Sequence, residues 1–115
     1  MGGLSQERCE ACRVGAPLVT DSEIEELGPQ VPEWMILNES ERKIQKAFRF
    51  KNFAEAIAFT IQVGELAESE KHHPAILTEW GKVTVTWWTH AIRGLHRNDF
   101  VMAAKTDAIF AARTS

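Results

Sequence analysis

Two hydrophobic periods alternate along this chain, one typical of helices and one typical of strands. The longest helical pattern covers residues 53–70, and Asn52 in front of it is a good N-cap. Its apolar residues occupy more than one face. We expect the set that faces the sheet to be Phe53, Ala56, Ile57, Thr60 and Gly64. A second set is a candidate for subunit contact or for further burial, and it comprises Phe59, Val63 and Leu66.

Two further helices are predicted, one at each end of the folded region. Thr20 followed by Glu23 matches a capping box, which predicts a short helix from that point. This helix should run to Leu27 and end at the following Gly-Pro pair. The last helix covers about residues 97–113 and is marked by apolar side chains at helical spacing, namely Phe100, Ala103, Ala104 and Ile109.

Alternating apolar residues predict a β-hairpin on each side of the long helix. In the first hairpin, residues 34–36 and 44–50 flank a turn near residues 38–41, although Lys46 interrupts the alternation. The predicted order of elements is therefore helix, two strands, helix, two strands, helix.

The second hairpin should join residues 76–80 to residues 83–90 through a turn at Gly81 and Lys82. Because successive side chains of a strand point to opposite faces, its last strand has two distinct sides. The core side should carry Val83, Val85 and Trp87. The opposite side is a hydroxyl-lined, aromatic surface with Thr84, Thr86, Trp88 and His90.

Length and charge narrow the possible classes of function. The chain has 115 residues, 44% of them hydrophobic, and fits one domain over residues 20–115 with an arm over residues 1–19. Its net charge of −3, from 13 basic and 16 acidic residues that are well mixed, argues against nucleic-acid binding. No apolar run approaches the roughly 20 residues that span a bilayer, and residues 1–13 lack the apolar region of a secretory signal. We expect a cytoplasmic protein without membrane contact.

The two cysteines, Cys9 and Cys12, lie in the arm at a spacing that suits a metal ion or a redox disulfide. A structural zinc site needs two more ligands, and a thioredoxin-like motif follows a strand, which residues 2–6 do not suggest. We therefore expect a pair of reduced thiols.

All four histidines lie within residues 72–96 and are the strongest candidates for chemistry. Histidine, with an unperturbed pKa of about 6.5, can both give and accept protons near neutral pH. His72 and His73 are poorly spaced for one face of a helix or strand and precede a proline, so they should form a loop pair. His90 should end the last strand, whereas His96 should lie on an exposed turn outside the site.

Three interpretations of this cluster stay open at the level of the residues. The imidazoles can be solvated loop residues. They can bind a metal ion, with His72, His73, His90 and Asp99 as the ligands, although these residues do not have the spacing of known ligand motifs. In the third interpretation, one imidazole protonates a leaving hydroxyl and another removes a proton from nitrogen, which converts a carbinolamine to an imine and water. Glu68 and Asp99 could then orient the imidazoles and fix their tautomers.

The motifs of this segment resemble those of the pterin-4a-carbinolamine dehydratase family. The matching residues are Glu68-x-x-x-His72-His73-Pro74, Trp80-x-x-Val83, Thr89-His90, Gly94-Leu95 and Asp99. In outline the resemblance covers residues 20–112 and includes Lys51-Asn52-Phe53. It implies an α+β fold with a four-stranded antiparallel sheet and three helices, in the order α-β-β-α-β-β-α, with the helices mainly on one face.

The resemblance implies a lyase that dehydrates 4a-hydroxytetrahydrobiopterin, a pterin-4a-carbinolamine, to quinonoid dihydropterin and water, with no cofactor and no metal. This reaction regenerates the cofactor of aromatic amino-acid hydroxylases, which gives a functional link to phenylalanine hydroxylase. The resemblance also implies a homodimer or homotetramer. The alternatives are a protein-interaction module of the dimerisation-cofactor type and a pterin-binding role in molybdopterin metabolism.

By the same resemblance, the catalytic residues are His72, His73, His90 and Asp99. We expect His72 and His90 to act as acid and base, and His73 to hold the pterin. The substrate-binding residues are Glu68, His72, His73, Pro74, Trp88, Thr89, His90, Ala91 and Ile92, with Trp34 as a further aromatic neighbour. Trp88 departs from the small hydroxyl residue found in some members of the family.

Overall fold

Three helices and four strands follow one another in the predicted order. The structure is a computed structural model, and it describes residues 18–38 and 40–113. The helices are α1 (Asp21–Leu27), α2 (Phe53–Glu70) and α3 (Arg97–Arg113). The strands are β1 (Met35–Asn38), β2 (Arg42–Arg49), β3 (Ala75–Glu79) and β4 (Lys82–Trp87). Two short 3₁₀ segments, Gly28–Gln30 and His90–Ile92, follow α1 and β4.

The helix starts are where the sequence predicts them, for identifiable reasons. At the start of α1, the Thr20 hydroxyl accepts from the Glu23 N–H while the Glu23 carboxylate accepts from the Thr20 N–H. At the start of α2, the Asn52 side chain accepts from the Glu55 N–H.

The strands form one antiparallel sheet in the order β1-β2-β4-β3. The two hairpins are joined through β2 and β4, with Phe48 opposite Val83. Val83, Val85 and Trp87 are fully buried, which confirms the predicted core side of β4. The four-stranded antiparallel sheet and the α+β class are both confirmed.

The helix α2 packs on the rest of the domain through the second of its two apolar faces. This is the face for which the sequence analysis considers either subunit contact or further burial. Its buried residues are Ala56, Phe59, Val63 and Ala67. Phe53 and Ile57 are instead 47% and 37% exposed, and Ile61 is 56% exposed. The predicted sheet-facing set is therefore wrong for Phe53 and Ile57, whereas Ala56 is buried and the Thr60 hydroxyl lies 2.6 Å from the Thr78 hydroxyl of β3.

An aromatic cluster decides which face of α2 is buried. The Phe59 ring lies 4.9 Å from the Phe48 ring, 5.2 Å from the Phe50 ring and 5.8 Å from the Phe110 ring, measured between centroids. Their tilted and edge-on geometries are the favourable ones for aromatic pairs. Because Phe48 is in β2 and Phe110 is in α3, this cluster holds α2 and α3 on the same face of the sheet.

Lys46 interrupts the alternation of apolar residues in β2 because its side chain pairs with two carboxylates at the edge of the core. Its ammonium donates hydrogen bonds to Glu33 and Asp107, both at 2.8 Å, and lies 4.7 Å from the centroid of the Phe48 ring. Burial lowers the pKa of Lys46, but the hydrogen bonds and negative charges of Asp107 and Glu33 outweigh it, so the net pKa is raised.

The second hairpin differs from the prediction at both of its ends. Glu79 pairs with Lys82, so the turn lies at Trp80 and Gly81, one residue earlier than predicted. A Cβ at Gly81 would come within 3.0 Å of the Phe50 carbonyl oxygen, which explains why glycine suits this turn. β4 ends at Trp87, so His90 is in a 3₁₀ segment and not in the strand as predicted.

The segment before α1 contacts the domain at its described end. The Val19 N–H donates to the Leu95 carbonyl oxygen at 2.9 Å. Cys9 and Cys12 lie outside the described residues. Within the described part of the chain, no helix has the length and apolar content needed to cross a bilayer.

Candidate active site

A cavity of about 320 Å³ lies where the end of α2 meets the segment that follows β4. It is lined by Lys71, His72, His73, His90 and Ala91. Small-molecule sites usually measure roughly 300–1,000 Å³, so this cavity suits a compact ring system. Three of the four histidines of the chain border it.

The end of α2 places the first two histidines. Lys71 adopts a left-handed conformation, with φ of 55°, and its N–H bonds back to the Glu68 carbonyl oxygen. The next N–H, that of His72, reaches the Ala67 carbonyl oxygen at 3.1 Å. These two contacts form a Schellman motif, which ends the helix and turns the chain toward the sheet.

His72 is a buried imidazole paired with a buried carboxylate. Its side chain is 3% exposed, and its Nε2 lies 2.6 Å from Oδ1 of Asp99, which is 0% exposed. An ionised carboxylate only accepts hydrogen bonds, so Nε2 of His72 is the donor in this pair. The pairing fixes the orientation of the ring and directs the Nε2 proton toward Asp99.

Asp99 is itself held from two other directions. Its Oδ2 accepts a hydrogen bond from the Thr89 hydroxyl and another from the His96 N–H, both at 2.8 Å. Asp99 also lies in the first turn of α3, where the helix dipole favours a negative charge. The carboxylate is therefore fixed in position before any substrate binds.

The other two histidines of the cavity are exposed, and the His90 ring bonds to the backbone of His73. Nε2 of His73 lies 2.6 Å from Oε2 of Glu68, with both side chains largely exposed. Nε2 of His90 donates to the His73 carbonyl oxygen at 3.2 Å. Since a carbonyl only accepts, Nε2 of His90 carries a proton. The two carboxylates named from the sequence thus each meet a different imidazole.

The remaining predicted site residues have varied environments. Ala91 is exposed and borders the cavity, whereas Pro74 and Ile92 are half-buried. Thr89 is buried, and its hydroxyl donates a hydrogen bond to Asp99, so it contributes to the site by orienting that carboxylate. Trp88 is half-buried and stacks on the His90 ring.

One sequence-based expectation about a neighbouring residue is wrong, and another stays a prediction. Trp34 is in the core, where its ring meets Phe48 and its indole N–H donates to Asp107 at 3.0 Å. His96 is half-buried, and its Nδ1 accepts from the Asn98 N–H at the start of α3. His96 is therefore a helix cap and not a residue on an exposed turn.

Lys71 borders the cavity and was missed by the sequence analysis. The left-handed conformation that places it there is usually taken by glycine or asparagine, so a lysine gives no signal of it.

Metal binding by this cluster has no geometric support in the described residues. Across residues 18–38 and 40–113, no three side chains of His, Cys, Asp or Glu converge in an arrangement that could hold a metal ion.

The fold and the cavity define a class of protein: a small α+β domain whose sheet, backed by two helices, presents paired imidazoles and carboxylates. The family model described as pterin 4 alpha carbinolamine dehydratase matches residues 17–109. The chain belongs to this family.

Two similar proteins match over nearly their whole length. One, from Gloeobacter violaceus, is named "Putative pterin-4-alpha-carbinolamine dehydratase 1" and is 62% identical over 109 residues, which are 94% of each chain. Another, from Nitrosococcus oceani, has the same family name and is 61% identical over 110 residues, covering 95% of this chain and 97% of the other.

Solved structures show the same fold. A transcriptional coactivator/pterin dehydratase from Brucella melitensis aligns with a TM-score of 0.75 and 32% identity, covering 81% of this chain and 98% of the other. A pterin dehydratase-like protein described as a RuBisCO assembly factor in the alpha-carboxysome aligns with a TM-score of 0.58 and 24% identity, over 67% of this chain and 88% of the other. The second similarity concerns the fold alone.

Proposed function

We propose that this protein is a hydro-lyase that dehydrates 4a-hydroxytetrahydrobiopterin to quinonoid dihydropterin and water. The observation that carries the proposal is that His72 and His90 border one cavity from two different segments of the chain. The names of the similar proteins point to the same reaction. The product would be recycled to the cofactor that aromatic amino-acid hydroxylases, such as phenylalanine hydroxylase, consume.

The reaction needs one proton donor and one proton acceptor. An imidazolium protonates the leaving hydroxyl at C4a, the C–O bond breaks, and water departs. A neutral imidazole removes the proton from the adjacent ring nitrogen, so the C=N bond forms and charge balances. We assign these two roles to His72 and His90. General acid and base groups typically accelerate a reaction 10² to 10⁴-fold each, roughly enough for a dehydration without metal or cofactor.

The other residues of the cavity bind and orient the pterin. The exposed His73, held by Glu68 at 2.6 Å, is placed to contact the heterocycle rather than to move its proton. Asp99 keeps the His72 ring in one orientation. The backbone near Pro74, Ala91 and Ile92 completes the walls.

Replacing the two imidazoles tests this assignment. We expect His72→Ala and His90→Ala each to lower the dehydration rate at least about tenfold, because each variant loses one proton-transfer group. Stopped-flow spectroscopy of enzymically generated 4a-hydroxytetrahydropterin measures the rate. The matched control is His96→Asn, which removes an imidazole outside the cavity and keeps a side chain that can cap α3. Full activity in both alanine variants would refute the assignment.

We further propose that a second copy of the chain packs on the exposed apolar stripe of α2. The stripe consists of Phe53, Ile57 and Ile61, spaced four residues apart so that they lie on one helix face. Exposed apolar patches of this kind mark contact surfaces. The same surface would serve in the alternative function, a protein-interaction module, which the name of the Brucella melitensis protein suggests.

Sedimentation velocity tests whether the stripe mediates self-association of the chain. We expect the wild-type protein to sediment as a dimer or tetramer and Ile61→Lys to sediment as a monomer. Met35→Lys is the matched control, since Met35 is an exposed apolar residue in β1, away from the stripe. A wild-type monomer, or an Ile61→Lys variant that still associates, would exclude self-association through this face.

A further inference from the structure

Two consecutive tryptophans at the end of β4 each stack on a different histidine of the cavity. Trp87 is the last residue of β4 and is fully buried, whereas Trp88 follows the strand and is half-buried. The Trp87 ring packs against His72, and the Trp88 ring packs against His90.

The inner tryptophan is fixed from two elements. The Trp87 indole is fully buried and lies nearly parallel to the His72 imidazole, with 5.8 Å between centroids and 18° between planes. Its Nε1 donates to the Thr106 hydroxyl at 3.1 Å, and that hydroxyl donates to the Met102 carbonyl oxygen at 2.7 Å. Since Thr106 and Met102 belong to α3, the plane of the indole cannot rotate without breaking this chain of hydrogen bonds.

The outer tryptophan contacts two charged or titratable side chains, His90 and Lys43. The Trp88 ring lies 4.4 Å from the His90 imidazole, with 35° between planes. The ammonium of Lys43, in β2, lies 4.4 Å from the centroid of the same indole, within the range of a cation–π contact. His90 is otherwise exposed, and its recorded side-chain hydrogen bond, to the His73 carbonyl oxygen, is 3.2 Å long.

We propose that Trp87 and Trp88 are the positioning residues of the site: each indole holds one imidazole at the orientation that proton transfer requires. This inference rests on the proposed function, because it concerns the two histidines to which that function assigns acid and base roles. Because the two tryptophans are adjacent in the chain, the spacing between the two indoles is linked to the spacing between the two imidazoles. Misplacing a catalytic group by about 1 Å can lower a rate about 100-fold, which is why such a device matters.

The outer half of the pair is tested with Trp88→Leu, Trp88→Phe and a matched control. Trp88 is half-buried, so neither substitution opens the core. We expect Trp88→Leu to lower kcat about 10- to 100-fold with little change in KM, and Trp88→Phe, which keeps an aromatic face, to recover to within about threefold of wild type. Trp80→Leu, which removes a tryptophan that is 70% exposed, should leave kcat unchanged.

The inner half is tested with Thr106→Val, which keeps the shape of the side chain and removes the hydroxyl that anchors Trp87. We expect a similar loss of kcat and a His72 ring that becomes heterogeneous in orientation. Imidazole ¹⁵N spectra of the substrate-free protein report the tautomer and mobility of His72 and His90. This measurement does not require the protein to be active. Trp88→Leu should broaden or split the His90 signals alone, and Thr106→Val the His72 signals alone.

The two readouts separate failure of this inference from failure of the proposed function. If the wild-type protein does not dehydrate the substrate, the proposed function fails, while the spectra still decide whether the indoles order the imidazoles. If the histidine signals and kcat of Trp88→Leu and Thr106→Val match those of the wild-type protein, the two tryptophans are core and surface residues only, and the inference is wrong.

Discussion

Asp99 organises the site at the scale of single residues. It accepts hydrogen bonds from His72, from Thr89 and from the His96 backbone, and it is 0% exposed. These donors come from three places: the segment after α2, the segment after β4 and the start of α3. A carboxylate with this many partners is rigid, and a rigid partner gives His72 one orientation.

The residue types predict part of this arrangement. Glu68 and Asp99 follow from the sequence as partners of imidazoles, because a carboxylate near a histidine commonly fixes its tautomer. Whether each histidine–carboxylate pair is buried or exposed does not follow from the sequence. His72 and His73 are adjacent, yet one is buried against Asp99 and the other is exposed beside Glu68.

The backbone of Lys71 gives a prediction at this scale. A left-handed conformation costs a residue with a Cβ roughly 1–2 kcal/mol, and glycine avoids that cost. We expect Lys71→Gly to be about 1 kcal/mol more stable than Lys71→Ala, although both remove the ammonium from the cavity. Urea unfolding measures the difference in free energy of unfolding. Equal stability of the two variants would contradict the assigned conformation.

At the scale of elements, α2 shows why an apolar pattern does not by itself choose a buried face. Phe53 and Ile57 are as hydrophobic as Phe59 and Val63, so the helical period is compatible with either face. The choice is made by the aromatic residues of β2 and α3, which meet Phe59 in space but are distant in sequence. Information of that kind is absent from a local window of residues.

The ion pairs of Lys46 in β2 give a prediction of how stability depends on pH. The pKa of Lys46 is raised above its ordinary value of 10.5, so its contribution to stability is complete below pH 10.5 and is lost as pH rises through the higher folded-state pKa. The hydrogen bond from Lys46, followed by its charge, lowers the pKa of Glu33 below 4.5. The Glu33 contribution is therefore present above pH 4.5 and is lost as pH falls through the lower folded-state value.

Lys46→Met, compared with the wild-type protein by urea unfolding from acid to alkaline pH, checks this expectation. The stability advantage of the wild-type protein should be widest at intermediate pH and shrink at both extremes. Glu33→Gln should have the smaller effect, because Glu33 is exposed and its ion pair is screened by solvent. An advantage that is independent of pH would show that the ion pairs of Lys46 do not contribute.

At the scale of the whole molecule, the sheet brings two chain segments to one cavity. The helix and strand periods predict the order of the elements because each pattern is long enough to be unambiguous. The pairing of β2 with β4, which joins the two hairpins, depends on contacts across more than thirty residues and leaves no local pattern. The cavity depends on the pairing of β3 with β4, in which Ala75 lies opposite Thr86, since this pairing places the end of β4 beside the segment that follows α2.

The most direct test of the account is stopped-flow dehydration of 4a-hydroxytetrahydropterin by the wild-type protein after treatment with a chelator. The account predicts at least about a 100-fold acceleration over the spontaneous reaction that survives chelation, because the imidazoles alone supply the acid and the base. No acceleration would contradict the dehydratase assignment. A rate that returned only with added metal would contradict the metal-free mechanism.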